Sequence, residues 1–72
     1  VSAVITEAER MALDFLSRVD SDQVGIIDTE EKFAAAVIYM HLHDKGLVVA
    51  TRQPEGGPRY YITKAGREAL SA

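Results

Sequence analysis

The sequence predicts a small α+β domain of three or four helices with a two-stranded β-hairpin near its C-terminal end. Three observations carry that prediction. A long helical run from Thr29 to Lys45 stops at Gly46. Two β-prone runs, Leu47–Arg52 and Arg59–Thr63, flank Pro54-Glu55-Gly56-Gly57-Pro58, a turn that neither helix nor strand accommodates. Thr63 then stands where it can cap a last helix, Lys64 to about Ser71.

The elements follow in order. Thr6-Glu7-Ala8-Glu9 has capping-box spacing: the Thr6 hydroxyl can accept a backbone N–H while Glu9 reaches back. The spacing predicts a helix from Glu7 to Val19, on which Met11, Phe15 and Val19, with Ala8 and Ala12, form an apolar stripe. Asp20-Ser21-Asp22 ends it. Val24-Gly25-Ile26-Ile27 reads as a brief strand or extended segment. Asp28-Thr29-Glu30-Glu31 opens the long helix, with acids at the positive end of its dipole. His43 and Lys45 occupy its last turn, and Gly46 suits a left-handed cap.

Size and composition bound the function. Seventy-two residues make one domain, 1–72, with a marginal core, so a homodimer or a larger parent protein is expected. No cysteine is present, which removes disulfides and thiolate metal sites and fits a reducing cytoplasm. No apolar run approaches the roughly 20 residues a bilayer span needs, and no signal-peptide pattern opens the chain. The net charge of −3 argues against a generic polyanion binder. Residues 1–44 hold three Lys/Arg against nine Asp/Glu, whereas residues 45–72 hold five against two. One end is acidic and the other basic, a polarity that can steer one face toward phosphate.

Leu42-His43-Asp44-Lys45-Gly46-Leu47-Val48 is a helix end followed by Gly-Leu-Val, and Tyr60, Ile62, Thr63 and Gly66 follow the hairpin, then Arg67 and Leu70. That ordered set resembles the winged-helix DNA-binding domains of the MarR and PadR type over residues 35–70. The resemblance implies a winged helix-turn-helix, with the hairpin as the wing and the long helix as the recognition helix. In the family, two helices stand between the short first strand and the wing. Here 26 residues separate Val19 from Gly46 and carry one long helical run, with a shortened second helix around Ser21–Val24 as the alternative.

The family pattern turns Ala35, Ile38, Tyr39 and Leu42 toward the core. Ala34, Ala36, Val37, Met40 and His41 then occupy the side meant for the major groove. Base edges are read by hydrogen-bonding side chains, and this face offers only His41. The wing is the better candidate for nucleic acid: Arg52 and Arg59 flank the loop, and Lys64 and Arg67 follow. Four cations can grip phosphates, although lysine and arginine also serve simply to keep a sheet edge solvated. Tyr60 and Tyr61 point to opposite faces of their strand, with Tyr60 inward by the family pattern and Tyr61 exposed.

The leading expectation is therefore a transcriptional regulator, or part of one, that contacts DNA through Arg52, Arg59, Lys64, Arg67 and His41. The alternative is a winged-helix scaffold for protein association, a homodimer joined through Ala34, Val37 and Met40, with Tyr61 as a further contact. No cofactor, metal or small-molecule substrate is expected, and no enzyme. His41 and His43 diverge by roughly 200° on a helix and cannot clamp one ion. Gly56-Gly57 lies between prolines in a hairpin rather than between a strand and a helix, so it is no phosphate loop. No serine is paired with a histidine and an orienting acid. Glu7, Glu9, Glu30 and Glu31 are helix-start acids.

Overall fold

A computed structural model describes residues 5–71. Its elements run α1 (Glu7–Val19), β1 (Ser21–Gln23), α2 (Glu30–Asp44), β2 (Val48–Thr51), β3 (Arg59–Ile62) and α3 (Lys64–Ser71). Three helices thus pack with an antiparallel sheet of order β1-β3-β2. The hairpin expected as a two-stranded wing is part of a larger sheet: β3 lies in the middle, paired with β2 on one side and β1 on the other.

Capping sets both ends of the first helix. The Glu9 N–H donates to Thr6 Oγ1 at 3.1 Å and the Thr6 N–H donates to Glu9 Oε1 at 2.8 Å, a closed capping box. Asp20 ends α1 at a φ of 72°, donating its N–H to the Leu16 carbonyl. The buried face of α1 is Glu9, Leu13 and Leu16. The stripe of Met11, Phe15 and Val19 stays exposed, Met11 at 65% and Phe15 at 43%. Two sets of residues have helical spacing here, and a contact from α2 selects between them. Lys45 Nζ reaches both Glu9 carboxylate oxygens at 2.8 Å, so the acid can be buried with its charge matched.

Thr29 caps α2 by accepting the Lys32 N–H at 3.1 Å. The helix ends in a Schellman arrangement: Gly46 N–H donates to the His43 carbonyl, and Leu47 N–H to the Leu42 carbonyl. Gly46 has a φ of 75°, which a side chain would strain. The turn delivers Leu47 and Val48 into the core beside Leu13, Leu16, Tyr39, Leu42, Tyr60 and Ala69.

The first strand is Ser21–Gln23, not Val24–Ile27, and no helix forms between Ser21 and Val24. Ile26 and Ile27 are exposed in the loop that follows. Polar partners, rather than apolar character, hold β1 on the sheet. Asp22 accepts from Tyr39 Oη, Ser21 Oγ accepts from Arg59, and Gln23 Nε2 donates to the Glu55 and Gly57 carbonyls at 2.8 Å each. The last pair pins the loop at the tip of the hairpin to the strand beside it.

The strand pairing sorts the side chains by face. Asp22 stands opposite Tyr60, and Tyr60 opposite Ala50, on the inner face; Val49 stands opposite Tyr61 on the outer. Tyr60 is buried and Tyr61 exposed, as the alternation predicts. Thr63 caps α3 through Gly66 N–H. A side chain at Gly66 would collide with the Leu47 carbonyl oxygen and press on Ile62 and Leu13, so the absence of one lets α3 close on the core.

Candidate functional site

The four hairpin and α3 cations do not form one cluster. Arg52 follows β2 directly, is exposed, and makes no hydrogen bond or ion pair among the described residues. Arg59 lies on the outer face of the sheet, half-buried, with Nη1 donating to Ser21 Oγ at 2.8 Å. Lys64 and Arg67, three residues apart on α3, line one shallow depression with Glu68 and Ser71. Arg67 also stands 3.9 Å from the Asp20 carboxylate, a weak solvated pair. His41 projects from the last turn of α2, exposed, on the side of Val37.

The apolar residues are more coherent. On α2, Tyr39 and Leu42 are buried, while Ala34 and Met40 are exposed and Val37 is half-buried. Phe33, which the sequence reading left out, belongs to the same side: it precedes Val37 by four residues and Met40 by seven. Phe33 is 61% exposed and Met40 59%. Spacing alone would have found it, because 33, 37 and 40 follow the helical repeat. Met40 also borders a depression with His43, Asp44, Ala50 and Tyr60, where α2 meets the sheet. Tyr61 sits across from Val49 on the outer sheet face, away from the α2 stripe.

A second apolar surface lies between α1 and α2. Met11, Ala12 and Phe15 form one wall of a groove, and Ala35 and Ile38 the other. The sequence showed the α1 stripe but not that α2 would leave it open.

The buried polar groups hold shape. Tyr39 and Tyr60 stack with ring centroids 4.8 Å apart, and Tyr39 Oη donates to Asp22 Oδ2 at 2.6 Å. Burial, reinforced by the Asp22 carboxylate, pushes the Tyr39 phenol above its ordinary range. Burial alone would raise the Glu9 carboxyl, but the Lys45 ammonium and the Thr6 N–H outweigh it and hold the group below its ordinary value of 4.5. Tyr39 borders a groove whose other lining residues, Ala8, Met11, Ala12, Phe15, Ala35 and Ile38, are all apolar. Among the described residues no three His, Asp or Glu side chains converge as metal ligands would, and no helix is long and apolar enough to cross a membrane.

Comparison with protein-family models, with curated proteins and with solved structures finds no match to this chain.

Proposed function

We propose that the domain is a winged-helix-like scaffold used for protein association, joining two copies through the outer stripe of α2. One observation carries this reading: Phe33 and Met40 are large, apolar and mostly exposed on the same helix side, with Val37 between them. The winged-helix likeness is supported by the element order, a short strand ahead of the long helix and a hairpin then a helix behind it. The long helix carries Glu30 and Glu31 at its exposed start, which disfavours its entry into a phosphate-lined groove. An antiparallel pairing about Val37 would set Met40 of one copy over Ala34 of the other, a large side chain against a small one. Sedimentation equilibrium tests it. The wild type should dimerise, and Met40→Asp should weaken the dimer at least about tenfold while leaving the fold intact. A wild type that stays monomeric at high concentration defeats the proposal.

DNA contact is the second reading, favoured by the exposed Arg52, which has no ion pair among the described residues, and by the shared face of Lys64 and Arg67. Titration of duplex DNA at low salt, with wild type and with Arg52→Ala plus Lys64→Ala, tests it. Salt-sensitive binding that the double variant loses supports this reading; no binding, or binding unchanged in the variant, removes it.

A further inference from the structure

The groove between α1 and α2 is a different surface from the outer stripe of α2, and its chemistry points to a different occupant. We infer that it receives an amphipathic helix of another protein, one whose apolar ridge is flanked by lysine or arginine.

The apolar part comes first. Met11 and Phe15 stand exposed on one wall, one helical turn apart, and Ala35 and Ile38 face them across the floor. The stretch from Ala8 to Phe15 spans about 10 Å of helix axis, room for two or three side chains spaced i, i+3 or i+4, and i+7 on the incoming helix. Small residues in the lining, Ala8 and Ala12 on α1 and Ala35 on α2, let that helix approach closely.

Charge then selects the partner. Glu7 lies one turn before Met11 on α1, and Glu31 one turn before Ala35 on α2. Lys45 at the end of α2 meets Glu9 at the start of α1, so the two helices run in opposite senses and the two acids stand toward opposite ends of the groove. Both are exposed, and neither has an ion-pair partner among the described residues. Arg18, one turn beyond Phe15, is already paired with Asp14 at 2.8 Å. Residues 1–44 as a whole carry nine Asp/Glu against three Lys/Arg. A second copy fits poorly. Groove against groove brings this acidic surface against its own image. The basic α3 of a second copy buries Gly66 and Ala69, packs Leu70 against its own core and leaves only the small Ala65 exposed among its apolar residues, so it has no ridge to insert. A foreign helix with an apolar ridge and basic flanks meets both requirements.

The probe is a fluorescein-labelled synthetic peptide of about 14 residues, with leucine at i, i+3, i+4 and i+7 and lysine elsewhere, read by fluorescence polarisation. Its control replaces every lysine by glutamate. The lysine peptide should bind the full chain at low salt and more weakly at a few hundred millimolar salt, and the glutamate peptide should bind at least about tenfold more weakly. Met11→Glu is the deciding variant. It adds negative charge, so attraction by charge alone would tighten binding, whereas insertion of a ridge into the groove requires a loss of about tenfold or more. Glu7→Gln plus Glu31→Gln should weaken binding several-fold and flatten its salt dependence.

Absence of binding by the lysine peptide overturns the inference, as do equal affinities for the two peptides or a Met11→Glu variant that binds as well as wild type. Dissolution of a wild-type dimer by Met11→Glu in sedimentation also overturns it, by assigning the groove to a second copy. Met40→Asp leaves this groove untouched. Loss of the dimer in Met40→Asp with peptide binding retained separates this inference from the dimer proposed above.

Discussion

Tyr39 on α2 donates its phenol proton to the Asp22 carboxylate of β1 at 2.6 Å, while its ring stacks on Tyr60, the residue that pairs with Asp22 across the sheet. One side chain thus ties the long helix to both the edge and the centre of the sheet. Tyr39→Phe keeps the stack and leaves Asp22 without that donor. The expected cost is about 1–2 kcal/mol, a fall in Tm of several degrees for a domain of this size. Hydrogen exchange should quicken at Ser21–Gln23 more than at Val48–Thr51. Equal quickening in both strands would show that the bond is not what holds β1.

Glu9 and Lys45 join α1 to the end of α2, and their pairing has a pH signature. The folded carboxyl lies below its ordinary value of 4.5, so the unfolded chain takes up its proton first as pH falls. The stability from this group is present above pH 4.5 and is lost as pH drops through the lower folded value. Glu9→Gln should cost about 1–3 kcal/mol at pH 7, discounted because Lys45 is partly exposed. Thermal melts of the two proteins should converge at acid pH. Parallel curves across that range would contradict the assignment.

Gly66→Ala places a methyl against the Leu47 carbonyl, an oxygen already fixed by accepting the Thr63 N–H at 3.1 Å. Alanine favours a helix over glycine by only about 1 kcal/mol, and the clash should outweigh that gain. Denaturant unfolding should show a net loss of about 1–3 kcal/mol. A stabilised Gly66→Ala protein would mean that α3 sits farther from the Leu47 backbone.

Local signals were legible in the sequence because their partners are near in the chain. Thr6, Thr29, Thr63 and Gly46 each act within a few residues, and they fixed the starts of all three helices and the end of α2. The alternation of Tyr60 and Tyr61 read correctly for the same reason. What the sequence hid depends on distant partners. Ser21–Gln23 looks like a loop until Tyr39, Arg59 and the hairpin tip supply its hydrogen bonds from 17 to 38 residues away. The apolar run Val24–Ile27 was the more obvious strand, yet it has no such partners among the described residues. The rotation of α1 turns on Lys45, 36 residues beyond Glu9. Arg59 and Arg67 looked equivalent to Arg52 in the sequence, and only the fold shows Ser21 and Asp20 beside them. The apolar side of α2 was visible as Ala34, Val37 and Met40; Phe33 completes it.

The most direct test is an isotope-filtered NMR experiment on a mixture of labelled and unlabelled chains, read at the Met40 methyl group. Contacts from that methyl to Ala34 or Val37 of the other copy are expected. A Met40 methyl with no intermolecular contact, or a dimer whose contacts run only through Val49 and Tyr61, would contradict the proposed pairing.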